Sequence, residues 1–175
     1  MSEDNIGLDE FIAAMGSVCT PVSVVTAMDE EAARGTTVSA FASLSAEPPM
    51  VLVSMDKRSR ILPVILRRQA FGLNVLASDS QGLARNFASK KEDKFEDVDW
   101  LETPYGPRLK ASTVWAGCHL SEAVEGGDHV VLFGLLKDTA IRPAPPLMYH
   151  LRQFGSFVPS AAEHQSMATA TAHSS

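Results

Sequence analysis

Residues 35–49 read Gly35-Thr36-Thr37-Val38-Ser39-Ala40-Phe41-Ala42-Ser43-Leu44-Ser45-Ala46-Glu47-Pro48-Pro49. Five small hydroxyl side chains fall at near-alternate positions, with apolar residues between them. Successive side chains on a strand face opposite sides. One side of such a segment can therefore present hydroxyls and backbone amides while the other packs into a core. Few large side chains would obstruct a flat ligand lying against it. Pro48 and Pro49 cannot donate backbone hydrogen bonds and end the segment. The apolar run 50–55 restarts a buried strand. Taken alone, the stretch is also an ordinary Ser/Thr-rich edge strand and loop; what separates the two readings lies further along the chain.

The regions on either side are strand-like. Residues 21–28, Pro-Val-Ser-Val-Val-Thr-Ala-Met, are rich in β-branched side chains, and the charged residues 29–34 read as a hairpin loop leading into Gly35. Residues 71–76 read as another strand. Residues 113–124 and 128–141 read as a long antiparallel pair joined by Glu125-Gly126-Gly127. Helical spacing appears three times: Leu8, Phe11, Ile12 and Met15; Ile61, Leu62, Ile65 and Leu66, with Pro63 in the first turn; and Leu83, Ala84 and Phe87. Residues 90–103 are charged and carry Phe95 and Trp100 as apolar anchors, a long connection of the kind that serves binding. Strands dominate and no repeated strand–helix–strand alternation appears. The pattern predicts a mainly β, antiparallel barrel with a few short flanking helices rather than a doubly wound fold.

The chain has 175 residues, 45% hydrophobic and 21% charged, which fits a single soluble globular domain over residues 1–159. Residues 160–175 are Ala, Ser, Thr and His with little apolar content and read as a disordered tail. The formal charge of −6 argues against a general nucleic-acid binder. The acidic start and the lack of a membrane-length apolar run point to a cytoplasmic protein with no membrane partner. Cys19 and Cys118 lack metal-ligand or redox-pair spacing and read as buried small hydrophobes. His119 and His150 have no ligand-like context, so no metal site is expected. No Gly-rich dinucleotide turn is present, so any nicotinamide cofactor must bind without a Rossmann site.

Four pieces of the chain, in order, resemble the flavin reductase family. They are the stretch 35–49, the run Phe87-Ala88-Ser89-Lys90-Lys91-Glu92-Asp93-Lys94-Phe95, the turn Gly126-Gly127-Asp128-His129 before the apolar run 130–136, and Pro146-Leu147-Met148-Tyr149. The family comprises small NAD(P)H:flavin oxidoreductases that supply reduced flavin to two-component monooxygenases. The resemblance spans roughly residues 11–154, and residues 90–95 most resemble reductases from aromatic polyketide antibiotic pathways.

The resemblance implies an FMN-binding split barrel of antiparallel, Greek-key type, a homodimer with flavin sites at or near the subunit interface, and a flavin-dependent monooxygenase partner. It implies FMN or FAD as the flavin and NADH or NADPH as co-substrate. Thr37, Ser39, Ser45 and the backbone of Ala40 are the candidates for the ring and ribityl chain. A flavin phosphate is dianionic and favours cations; Lys57, Ser59, Lys91 and Lys94 are its candidates, and Phe87 opens the motif that carries the last two. Many relatives carry Arg at the position of Lys94, where Lys keeps the charge but loses the bidentate fork. By itself His129 is a histidine at a strand start, satisfied by a backbone carbonyl. The resemblance places it at the nicotinamide side as the catalytic candidate, with Asp128 orienting it and Tyr149 and Phe154 near the same cleft. Two other readings stay open: an oxidase or electron-transfer protein of the same fold that retains its flavin, and a non-catalytic ligand-binding β-barrel.

Overall fold

The β-branched run of residues 23–29 is buried on both faces, and this makes it the centre of the architecture. Val24 packs into one apolar cluster and Val25 into another, both fully buried. Complete burial of such a side chain contributes about 1.5–3 kcal/mol. In this computed structural model the described residues are 6–30 and 32–160. The acidic start and, apart from Ser160, the expected tail lie outside them.

The elements run α1 (Leu8–Gly16), β1 (Thr20–Pro21), β2 (Ser23–Asp29), β3 (Ala32–Val38), β4 (Phe41–Ala46), β5 (Pro49–Asp56), α2 (Leu62–Arg68), β6 (Ala70–Leu76), α3 (Gln81–Ala88), β7 (Trp100–Leu101), β8 (Arg108–Leu109), β9 (Ser112–Gly126), β10 (His129–Ile141), β11 (Leu147–His150) and β12 (Gln153–Ser156). The main sheet has seven strands in the order β3-β2-β6-β9-β10-β5-β4, all antiparallel neighbours. Within it β5, β6, β9 and β10 take a Greek-key order, β5 lying beside β10. A three-stranded sheet, β1-β11-β12, covers one side.

The stretch 35–49 is not one strand. It ends β3 at Val38, crosses at Ser39 and Ala40, and continues as β4. β3 and β4 are the two opposite edges of the seven-stranded sheet, so these two residues carry the chain from one edge to the other. The crossing draws the edges together. The backbone N–H of Ser54 on β5 donates to the Ala40 carbonyl at 2.8 Å. The sheet thus curls into a barrel whose seam lies between β3 and β5, which do not form a ladder. A split barrel is the result.

Two clusters fill the fold. Inside the barrel, Val25, Val53, Met55, Phe71, Leu73, Cys118 and Leu132 pack together, with Leu62, Val64 and Ile65 of α2 closing one end. Outside it, Val22, Val24, Leu76, Ala84, Phe87, Leu109 and Leu147 pack under α3 and the long connection after it. That connection is anchored as expected: Phe95 meets Phe87 edge-on at 4.9 Å and Trp100 at 5.8 Å. Asn74 pins its far end. Its fully buried amide donates to Thr26 Oγ1 and Pro107 O and accepts from the Leu109 N–H at 2.8 Å.

Several expectations need correction. The loop after β2 is shorter than residues 29–34, because Ala32, Ala33 and Arg34 already pair with β2. The β9–β10 turn is Gly127-Asp128; Gly126 pairs with His129 and belongs to the strand. Cys19 is exposed, and only Cys118 is buried, where loss of solvent pushes its thiol up to about 12. The run 50–55 is buried on one face only, through Val53 and Met55. α1 forms where predicted, yet its apolar residues Leu8, Phe11, Ile12 and Met15 are all exposed.

Candidate functional site

The seam holds a cavity of about 240 Å³, lined from β3 by Thr36, Thr37, Val38, Ser39 and Ala40 and from the facing wall by Ser54, Met55, Asp56, Ser59 and His129. β3 pairs only with β2 among the described strands, so its outer backbone edge faces this space rather than a ladder. Unpaired strand amides and carbonyls are obligatory hydrogen-bonding groups that a ligand can satisfy. Small side chains keep the approach open, as the sequence suggests.

His129 begins β10 directly opposite Asp56 of β5. Its Nδ1 lies 2.7 Å from Asp128 Oδ1. That hydrogen bond, and the nearby imidazole, hold the Asp128 carboxyl below its ordinary range. A carboxylate can only accept, so Nδ1–H donates and Nε2 remains open to a ligand. Asp56 is held well below the usual carboxylate range, chiefly by side-chain hydrogen bonds from Arg58, whose Nη2 lies 2.7 Å away, and then by the Arg58 backbone N–H. Two ionised carboxylates therefore flank the imidazole.

A second cavity, of about 510 Å³, opens along the other end of β3 at Arg34 and Gly35. Four cations line it, Arg34, Arg60, Lys91 and Lys94, against two carboxylates, Asp29 and Glu92. The positive surplus suits a dianion. Lys94 Nζ donates to Phe87 O at 2.8 Å and Gly35 O at 3.3 Å, tying β3 to the end of α3. Burial, and then the neighbouring Arg60, lower its pKa. An anion arriving here would offset both effects by favouring the charged amine.

Of the expected site residues, Ser39, Ala40 and His129 meet at the seam, and Lys91 and Lys94 meet at the cationic cavity; Ser59, expected with those lysines at the phosphate, lines the seam instead. Thr37 lines the seam, but its hydroxyl donates to Ala84 O at 2.7 Å, so it braces β3 on α3. Ser45 is not among the seam residues. The crossing at Ser39 and Ala40 carries it to the far end of β4, opposite Met50. Lys57 is paired with Glu125 at 2.7 Å, and its backbone N–H bonds Asp128 O; it buttresses the β9–β10 turn. Phe87 is fully buried beneath Gly35 and cannot meet a ligand through its ring. Tyr149 and Phe154 do not share the cleft of His129; they line a separate cavity that has Thr37 and Ser39 in common with it.

Sequence reasoning missed Arg34, Arg60 and Asp56. Arg60 belongs to the basic run Lys57-Arg58-Ser59-Arg60, in which the chain leaves β5 and turns toward α2. Strand alternation no longer holds there, so it could not choose among the four.

The residues present fit a flavin nucleotide. The open strand edge and small side chains suit a flat polar ring, and the cations gathered beside the other end of that strand suit its phosphate. No group of three or more His, Cys, Asp or Glu that could hold a metal occurs among the described residues.

A sequence profile described as "Flavin reductase like domain" matches residues 15–157. The chain belongs to this family. It is 37% identical over 151 residues to the reductase subunit HsaB of a flavin-dependent monooxygenase from Rhodococcus jostii, covering 85% of this chain and 77% of that protein. It is 35% identical to a flavin reductase (NADH) from Kitasatospora aureofaciens, covering 83% and 80%. The fold matches the NADH:FAD oxidoreductase SgcE6 of Streptomyces globisporus, solved with NAD and FAD fragments, with a TM-score of 0.82, 27% identity and coverage of 90% and 99%.

Proposed function

We propose that this protein oxidises NAD(P)H, reduces FMN or FAD, and releases the reduced flavin to a separate monooxygenase. The observation that carries this reading is the arrangement along β3: an open polar edge facing His129 at one end and a cationic cavity at the other. The relatives named as reductase components support the same assignment.

A bound flavin supplies the two-electron chemistry itself. The chain's part is to position and polarise. The β3 edge and Ser39 hold the ring, and Arg60, Lys91 and Lys94 hold the phosphate. Thr37 and Lys94 keep β3 in register with α3 by bonding the carbonyls of Ala84, Phe87 and Gly35. His129, oriented by Asp128, offers Nε2 as a hydrogen-bond partner at the open side of the cavity. Such a partner steadies charge without having to transfer a proton. Hydrogen bonds of this kind let a flavin leave after reduction.

A homodimer suits this reading. The exposed face of α1, with Leu8, Phe11, Ile12 and Met15, forms an apolar patch together with Val18. Patches of that kind mark protein contacts. Sedimentation of wild type and Phe11→Glu tests this; a monomer in both would remove the dimer. No helix among the described residues is long and apolar enough to cross a membrane.

A steady-state assay crossing both flavins with both nicotinamides tests the activity. Absorbance at the nicotinamide band should fall only when flavin is present. Folded protein that consumes neither nicotinamide with either flavin would overturn the assignment, and tightly retained colour without turnover would favour the oxidase or electron-transfer reading.

A further inference from the structure

Behind β3, between α3 and the hairpin β11–β12, lies a cavity of about 370 Å³ whose arginines and aromatic rings the chemistry above does not use. Arg85, Arg152, Tyr149, Phe154, Thr37 and Ser39 line it. Three of its features point to a ligand.

The first is charge. Neither Arg85 nor Arg152 has a carboxylate within 4.0 Å among the described residues, although the chain carries a net charge of −6. The Arg85 guanidinium rests over the Phe154 ring, 5.3 Å from its centre. That contact holds the group on the cavity wall, and no protein acceptor among the described residues takes its N–H donors.

The second is the pair of rings. Tyr149 and Phe154 are cross-strand partners on β11 and β12, with centroids 5.2 Å apart. They supply flat apolar surface beside the two cations.

The third is the backbone. The two-residue turn between β11 and β12 is Leu151-Arg152, with φ of 47° and 63°. Both lie in the left-handed region, where hairpins favour Asn and Gly. The Leu151 N–H donates to Gly16 O at 2.9 Å, which fixes the turn against the end of α1. Glycine at 152 would remove the strain there, yet the position carries an arginine that lines the cavity. Strain that persists in this way marks positions where the side chain is needed.

A guanidinium fork matches phosphate oxygens, and a purine stacks on aromatic or guanidinium faces. We propose that this cavity binds the adenosine-diphosphate moiety of a dinucleotide, with Arg85 and Arg152 on its phosphates and Tyr149 and Phe154 against its adenine. Under the reductase reading, on which the ligand's identity rests, two molecules carry that moiety, the nicotinamide donor and FAD; FMN does not. Thr37 and Ser39 line both this cavity and the seam, so a dinucleotide can reach from one to the other past Ser39. Tyr149 and Phe154 then serve the adenine end rather than the nicotinamide end.

Calorimetric titration of the full chain with ADP tests the site without turnover. Wild type should bind ADP, and Arg152→Gly and Arg85→Gln should each weaken it roughly tenfold, the worth of one charge-assisted hydrogen bond. Arg152→Gly should melt no lower than wild type, because it relieves the turn; this separates lost binding from lost fold. Kinetics then identify the source. A KM for NADH that rises more than kcat falls, with FMN as acceptor, assigns the site to the donor. A raised KM for FAD, with FMN unaffected, assigns it to the flavin. Folded wild type that does not bind ADP, or equal ADP affinity in wild type and both variants, overturns the proposal. A chain that binds ADP here but never oxidises NAD(P)H would overturn the reductase reading and leave the site standing.

Discussion

Two hairpin turns of the same length solve the same geometric problem differently. Between β9 and β10 the turn is Gly127-Asp128, and Gly127 adopts φ of 61° without steric cost. Between β11 and β12 the turn is Leu151-Arg152, and both side chains sit in the left-handed region. The first turn is relaxed and places the proposed catalytic side chain one residue later, at His129, on a strand. The second is strained and carries Arg152, the proposed phosphate ligand, in the turn itself. A side chain can be held by a regular element at no conformational cost, or by an irregular one at some cost. The difference indicates which turn positions can be changed without loss of function.

The largest effect should come from the residue that the relaxed turn delivers. His129→Ala should lower kcat/KM by roughly one to two decades, the range of a positioned polar group at the reacting centre. Flavin affinity and melting temperature should change little. Normal turnover per folded molecule, measured on the same preparation, would reduce His129 to a strand residue.

Next come the turns, whose responses should have opposite signs. Gly127→Ala forces a Cβ into positive φ and should cost about 1 kcal/mol in a denaturant melt. Leu151→Gly should instead gain a somewhat smaller amount, about 0.5–1 kcal/mol, since strain relief outweighs the added chain entropy and Leu151 buries little. Equal responses from the two turns would break the comparison.

The smallest effect concerns the brace on the relaxed turn. Lys57→Ala removes the pair with Glu125, which is exposed, and exposed pairs contribute little. Its melting curve should lie close to that of wild type, and flavin binding should be unchanged. A clear loss of flavin affinity would return Lys57 to the phosphate site.

Local signals in the chain proved the most readable. The β-branched run of β2, the long β9–β10 pair and the Pro63 start of α2 each depend on neighbours close in sequence, and periodicity captures such patterns. The change of sheet edge at Ser39 and Ala40 leaves no trace in periodicity, because hydroxyls alternate on both sides of it. The pattern therefore groups Ser45 with Ser39 although the fold separates them. Lys57 and Glu125 are 68 positions apart, so no local pattern could show that this lysine is already neutralised. Phe87 belongs to a binding motif in sequence, and its burial follows from packing under Gly35. Arg85 and Arg152 gave no signal at all. Each is a lone arginine in sequence, and only the docking of the C-terminal hairpin beside α3 brings them together.

The crossing at Ser39 and Ala40 also bears on how the molecule is made. β3 and β4 are consecutive in the chain but lie at opposite edges of the sheet, and the seam between β3 and β5 is lined by residues 36–59 together with His129 of β10. Only the His129 wall depends on contacts distant in sequence, and such contacts come slowly. The seam is complete only once β10 lies beside β5, and a chain short of that point offers a ligand an incomplete cavity. A ligand that bridges β3 and β5 binds the finished barrel and not its precursors. By mass action it raises the apparent stability of the closed form by RT ln(1 + [L]/Kd). Flavin in the cell would then act as a late selector of fully closed chains, before it acts as a substrate.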